Sequence, residues 1–202
     1  MIREPIEWSQ FYWYATDHPE LPRVLLIGDS IVVGSHGAVA ERLSGKATIG
    51  MMATSKIVGD PGFLLELEMA FSDYLPQVIV FNNGLHGRDY DDAFYRDGLV
   101  VAIERIQAKC PHAKLLWRSS TPVTVDGDPT TLDPVVNALV ERRNRIAAEV
   151  MKEHGIPVLD VYPLLLNHPE YRVSDGYHYK AEGYNRIADF LAPKLREALE
   201  SF

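Results

Sequence analysis

Arg23-Val-Leu-Leu-Ile-Gly-Asp-Ser-Ile-Val-Val-Gly34 decides how the rest of the chain is read. Residues 24–27 are an unbroken run of branched apolar side chains ending at Gly28. Such a run suits a strand buried on both faces, as in the middle of a parallel sheet, because neither face is left for water. Gly28 permits a tight exit, so Asp29 and Ser30 fall at the carboxyl end of the strand, where open α/β sheets bind ligands. Val39, Ala40 and Leu43 then keep helical spacing. Ser30 is therefore expected at a strand-to-helix turn, with its hydroxyl exposed and its backbone N–H aimed at an anion. A serine there also serves as an ordinary helix cap. What separates the two roles is a base and an oxyanion donor elsewhere in the chain.

The same alternation continues outward from that stretch. Residues 46–50, 77–81, 114–120 and 156–161 read as four more strands. A loop is expected over 51–62, then a helix capped by Asp60, opened by Pro61 and carrying Leu64, Leu65, Leu67 and Phe71. Further helices are expected over 89–110, from Val136 to Val150, briefly over 162–167, and in an amphipathic tail using Tyr184, Ile187, Leu191, Leu195 and Leu199. Residues 121–134, rich in Thr, Pro, Asp and Gly, read as a loop. Strands alternating with helices predict a three-layer, flavodoxin-like α/β/α domain over 23–202 with a five-stranded parallel sheet. Residues 1–22 read as an arm, dense in aromatic side chains (Trp8, Phe11, Tyr12, Trp13, Tyr14), that packs on an edge or end of the domain. Its rings are also candidates for a substrate groove or a contact between copies of the chain.

Composition narrows the classes of function. A chain of 202 residues is long enough for one domain with a proper core, and 47% hydrophobic and 24% charged residues are ordinary for a globular protein. A net charge of −8 argues against nucleic acid or an anionic membrane as the main partner. No apolar run approaches a membrane span, and no secretory signal opens the chain, so a cytoplasmic location is expected unless a signal has been removed. The single cysteine, Cys110, excludes an internal disulfide and reads as packing.

In a parallel sheet all strand exits share one edge, which gathers Ser30, the 54–59 loop and the 82–86 loop around one crevice. Asp175 and His178 follow the last strand in a loop leading to the closing helix. A nucleophilic serine needs an imidazole to take its proton and a carboxylate to hold that imidazole in one tautomer. An Asp and a His three residues apart in a turn can supply both. Arg118, at the exit of the fourth strand, is placed to touch substrate or to pair with an acid.

Gly28-Asp-Ser30 near the start, with Asp175-Gly-Tyr-His178 before a final helix, resembles the SGNH hydrolases, also called GDSL esterases and lipases. The resemblance covers the chain from Arg23 onward. It implies Ser30 as nucleophile, His178 as general base, Asp175 as its orienter, and no metal or organic cofactor. Ser30 would also contribute its backbone N–H to the oxyanion. The middle blocks depart from the family pattern. Gly84-Leu-His-Gly87 stands where Gly-x-Asn-Asp is usual, which puts His86 in the place of the oxyanion amide, with Asn82 and Asn83 as alternatives. The second-block glycine corresponds to Thr54 by register, followed by Ser55, with Gly59 as an outside candidate. Asp29, Ser55, Asn83 and Arg118 are the residues expected around the substrate. The activity implied is hydrolysis of small acyl esters, acetyl esters of carbohydrates or similar polar alcohols foremost. The alternative is a catalytically weak module that binds a sugar or acyl ligand.

Overall fold

The computed structural model describes residues 1–200, so the last two residues of the expected 23–202 domain lie outside the described part. In chain order the elements are β1 (Ser9–Trp13), β2 (Arg23–Gly28), α1 (Ser30–Arg42), β3 (Thr48–Thr54), α2 (Pro61–Ala70), β4 (Val78–Phe81) and α3 (Asp92–Lys109). They continue with β5 (Lys114–Arg118), β6 (Thr124–Val125), β7 (Asp128–Leu132), α4 (Val136–Glu153), β8 (Val158–Leu159), α5 (Tyr162–Leu166) and α6 (Ala181–Leu199).

The main sheet runs β1-β3-β2-β4-β5-β8. Its last five strands are parallel, in the order 2-1-3-4-5 when counted by themselves, which is the flavodoxin-like winding. The chain steps from β2 to β3 on one side and returns to β4 on the other. The topological switch point therefore lies between the carboxyl ends of β2 and β4, where Ser30 and the loop 82–87 emerge.

Side chains of β2 alternate between two cores, as the pleat requires. Val24 and Leu26 face α1 and α6, where Ile31, Val39, Ile187 and Leu191 are buried. Leu25 and Ile27 face the other layer, with Phe63 and Leu67 of α2, Leu99 and Ile103 of α3, and Ala147 and Val150 of α4. Burial of each such side chain contributes roughly 1.5–3 kcal/mol relative to exposure. These two layers hold the switch point rigid from both sides.

The arm takes a specific form, and two loop expectations are corrected. The arm is part of the sheet: Ser9–Trp13 pairs antiparallel with β3 from Ser9 opposite Thr54 to Trp13 opposite Gly50, adding a sixth strand to the five parallel ones. Residues 51–54, read as loop, are strand because β1 pairs with them on one side and β2 pairs with residues 51–53 on the other; every residue of β3 is buried. Residues 121–134 hold the β6–β7 hairpin, which turns at Asp126-Gly127, with Gly127 at φ +81°. The last strand of the sheet shortens to two residues. No helix among the described residues is long and apolar enough to cross a membrane.

Candidate active site

Ser30 is the first residue of α1, directly after Asp29, whose carboxylate caps the helix by accepting from the Ile31 N–H at 2.9 Å. The N–H groups of Val32 and Val33 return to the Asp29 carbonyl. The Ser30 N–H belongs to the first turn, whose donors have no partner inside the helix, and it carries the positive end of the dipole.

Asp175 and His178 share a turn braced by its neighbours. Arg172 and Tyr179 form an antiparallel bridge that closes it. The β6–β7 hairpin supports it through Thr124 N–H to Gly176 O at 2.9 Å and Gly127 N–H to Ser174 O at 2.7 Å. Gly176 has φ +82°, and a Cβ there would stand 2.4 Å from the Thr124 oxygen, so only glycine fits. Within the turn, Oδ1 of Asp175 accepts the N–H groups of Tyr177 and His178, each at 2.9 Å. Oδ2 lies 2.7 Å from Nδ1 of His178, and Nε2 of the same ring lies 2.8 Å from Oγ of Ser30. Partial burial by itself would raise the Asp175 carboxyl, but the bonds from the His178 N–H, the imidazole and the Tyr177 N–H outweigh it. They hold that carboxyl below the ordinary carboxylate range. With Asp175 ionised, the proton of a neutral His178 sits on Nδ1, and Nε2 is free to take one from Ser30.

A cavity of about 650 Å³ opens over these groups. Ser30, His178 and His86 line it, with Tyr177, Tyr184 and Arg88 on one side and Glu4, Trp8 and Gln10 of the N-terminal segment on another. A cavity of similar volume, about 690 Å³, lies at the amino end of β5 beside Cys110. It is on the edge of the sheet away from the strand exits, and none of Ser30, Asp175 and His178 lines it. Burial pushes the Cys110 thiol up to about 11, slightly opposed by Lys109.

The loop after β4 decides which side chain of the third block reaches the cavity. Asn82 gives its amide N–H groups to Arg118 O at 2.8 Å and Ser120 Oγ at 3.1 Å. Asn83 donates to Lys56 O at 2.8 Å and accepts from Val58 N–H at 3.2 Å, tying the 54–59 loop down. Both amides are thus committed, and His86 is the polar group left facing the cavity. Gly84 is required for this path, since a Cβ would stand 2.2 Å from Ser120 Oγ. Beneath the loop, the buried guanidinium of Arg143 donates to the carbonyls of His86 at 2.6 Å, Gly87 at 2.7 Å and Gly84 at 3.3 Å. Burial lowers this guanidinium from its usual range, with Tyr95 opposing.

Several residues expected at the substrate are structural instead. Asp29 is 3% exposed and caps α1. Arg118, 2% exposed, donates to Asn82 Oδ1 at 3.2 Å and stands 4.0 Å from Asp29, so it pairs with the acid rather than reaching the cavity. Burial lowers its guanidinium and Asp29 works against that. Asn83 holds the 54–59 loop as described. Ser55 Oγ accepts the Trp8 N–H at 2.9 Å. Thr54, expected as an oxyanion donor, is fully buried, donating from Oγ1 to Trp8 O and accepting from Lys56 N–H, both at 3.2 Å. Neither Thr54 nor Ser55 lines the cavity, because the N-terminal segment lies over them.

Sequence reasoning missed Glu4, Gln10, Arg88 and Arg143. Glu4 accepts from His86 Nδ1 at 3.0 Å to each carboxylate oxygen and from Gly87 N–H at 3.1 Å. The aromatic density of the arm signalled that this segment mattered but did not single out its acid.

A serine, an imidazole and a carboxylate in hydrogen-bonded series, beside helix-terminal N–H groups, is the constellation that serine-type acyl hydrolases build on several folds. The chain belongs to the GDSL-like lipase/acylhydrolase family, whose model matches residues 26–186. By that membership it is a carboxylic ester hydrolase. Among curated proteins, none matches it. Its fold is similar to that of the acetyl xylan esterase AlAXEase, with a TM-score of 0.68 and 17% identity over 86% of this chain and 99% of that one. A carbohydrate esterase family 3 protein from Talaromyces cellulolyticus gives 0.65 and 14% over 90% and 100%. The catalytic domain of peptidoglycan O-acetyltransferase A from Streptococcus pneumoniae gives 0.63 and 20% over 89% and 96%.

Proposed function

We propose that the protein removes small acyl groups, acetyl foremost, from polar alcohols such as sugar hydroxyls, through an acyl-enzyme on Ser30. The observation that carries this reading is the unbroken series Ser30 Oγ, His178 Nε2, His178 Nδ1 and Asp175 Oδ2, with links of 2.8 and 2.7 Å. His178 takes the hydroxyl proton as Ser30 Oγ bonds to the ester carbonyl carbon. The carbonyl π electrons move to oxygen and form the oxyanion. His178 then passes its proton to the departing alcohol oxygen as the C–O bond breaks. In the second half, water gives a proton to His178, its oxygen attacks the acyl carbon, and Ser30 leaves with the proton restored. Asp175 stays ionised throughout and stabilises the imidazolium.

The oxyanion is served by the Ser30 N–H and by a side-chain donor from His86, which stands where the family has its asparagine. Preference for polar esters is supported by the lining. Trp8, Tyr177 and Tyr184 offer ring faces, while Gln10 and Arg88 offer hydrogen-bonding groups between them. Convergent polar groups among rings are what orient a small polar ligand in a concave site. Similarity to an acetyl xylan esterase and a carbohydrate esterase at the level of fold points the same way.

A panel of esters tests the proposal: acetylated sugars, p-nitrophenyl acetate and p-nitrophenyl esters of longer acids. Hydrolysis of acetyl esters with kcat/KM falling by tenfold or more for chains beyond about four carbons is expected. Equal or better rates on long-chain esters refute the acyl preference. Tight sugar binding without turnover of any ester makes the protein a binding module instead.

A further inference from the structure

We propose that Glu4 is the positioning residue of the oxyanion site, holding the proton of His86 on Nδ1 so that His86 donates to the oxyanion from Nε2 only as an imidazolium. The inference rests on the reading of His86 just given and adds a residue from outside the sheet to it.

The geometry is specific. Both oxygens of Glu4 lie 3.0 Å from Nδ1 of His86, and Oε1 also accepts the Gly87 N–H at 3.1 Å. An ionised carboxylate can only accept, so the ring nitrogen facing it carries hydrogen. A neutral ring in that tautomer has a bare Nε2, which accepts hydrogen bonds and repels an oxyanion. Protonation of Nε2 turns the same atom into a charge-assisted donor, and the Glu4 carboxylate balances the added charge. An asparagine amide at this position donates at any pH. The His86 arrangement donates only while the ring is charged.

Glu4 is held in place from both sides. The Ile2 carbonyl accepts from Tyr90 at 3.0 Å, Arg3 pairs with the buried Asp60, and Trp8 N–H donates to Ser55 Oγ. Trp8 also meets the His86 ring edge-on, with centroids 6.1 Å apart. The other ionisable groups around His86 are Arg88 on its own loop, Tyr177 and His178 on the turn of the triad, Tyr184 on α6, and Arg143 of α4 beneath. Among the described residues, Glu4 is the carboxylate paired with the imidazole within 4.0 Å. The N-terminal segment thus completes the catalytic cavity.

Two measurements decide the matter. Imidazole nitrogen NMR of the substrate-free protein reads the tautomer directly and needs no activity. The expected spectrum has Nδ1 of His86 protonated in the neutral ring, with Nε2 bare. A neutral ring protonated on Nε2 overturns the inference, whatever the protein hydrolyses. The second is a double-mutant cycle on acetyl-ester hydrolysis. Glu4→Gln and Glu4→Ala are expected to lower kcat by about tenfold or more with KM little changed, since oxyanion donors act in the transition state. In a His86→Asn background the same changes should alter kcat by less than about twofold, because an amide needs no carboxylate to fix its proton. Equal losses in both backgrounds overturn the inference, whereas failure of Ser30 to react with a serine-directed label overturns the hydrolase reading instead.

Discussion

Replacing Asp175 by Asn tests the triad with little change of shape, and the structure says which way the amide must turn. Two backbone N–H groups, of Tyr177 and His178, point at Oδ1 from 2.9 Å, so that position must remain an oxygen. The amide nitrogen then takes the place of Oδ2, 2.7 Å from His178 Nδ1. Facing an NH2 group, Nδ1 must accept, and the ring proton moves to Nε2, the atom that has to take the Ser30 proton. Loss of the correct tautomer costs about 10⁴-fold in kcat in serine triads. At about 1.36 kcal/mol per factor of ten, that is about 5.4 kcal/mol of transition-state stabilisation. Stability should change far less. Two of the three hydrogen bonds survive, the third is remade in reverse, and the site is half exposed, so less than about 1 kcal/mol is expected near neutral pH. Because the folded-state carboxyl is held below its unfolded value, its contribution to stability is complete above about pH 4 and disappears as the pH falls through that range. The difference between wild type and Asp175→Asn should narrow accordingly below pH ~4. Rates on p-nitrophenyl acetate and thermal melts across pH measure both. A kcat within tenfold of wild type in a folded variant refutes the role given to Asp175.

Other perturbations separate support from chemistry. Arg143→Met leaves the carbonyls of Gly84, His86 and Gly87 without their donor. A loss of about 3–5 kcal/mol and a fall in kcat of tenfold or more are expected; an unchanged Tm with full activity contradicts the account of that loop. Arg118→Met strands the buried Asp29 carboxylate 4.0 Å away and should cost about 3 kcal/mol. Adding Asp29→Asn, which keeps an oxygen for the Ile31 cap, should recover part of that loss in denaturant titrations; no recovery means the pair does not interact. With its thiol raised to about 11, Cys110 should be thiolate to only about one part in a thousand at pH 8. Iodoacetamide should therefore modify it quickly only after unfolding, and rapid labelling of the native protein contradicts its buried, protonated state.

The sheet and the hydrogen-bonded series of Ser30, His178 and Asp175 were legible because their signals are local. Residues 24–27 carry their burial in their own composition, and Asp175 and His178 sit in one turn. What could not be read depends on partners distant in sequence. Residues 51–54 look like loop until β2 and the arm pair with them, and Thr54 finds the Trp8 carbonyl. Arg118 reads as a substrate contact or the partner of an acid, and Arg143 carries no local signal of its burial. Their burial is tolerable only because an acid at Asp29 and the carbonyls of residues 84–87 come to meet them. Glu4 finds its imidazole 82 positions away, and nothing in the composition of residues 1–22 marks that meeting. His86 was placed by motif alone; the commitment of the Asn82 and Asn83 amides to other partners is the structural reason to prefer it.

The central claim is that Ser30 is a nucleophile activated by His178. Treatment with an active-site-directed phosphonate, followed by peptide mass mapping and acetyl-ester assays on wild type and Ser30→Ala, tests it most directly. The expected result is a single adduct on Ser30, complete loss of hydrolysis with the adduct, and neither adduct nor hydrolysis in a Ser30→Ala protein that melts like wild type. Undiminished hydrolysis by Ser30→Ala, or an adduct carried elsewhere, would contradict it.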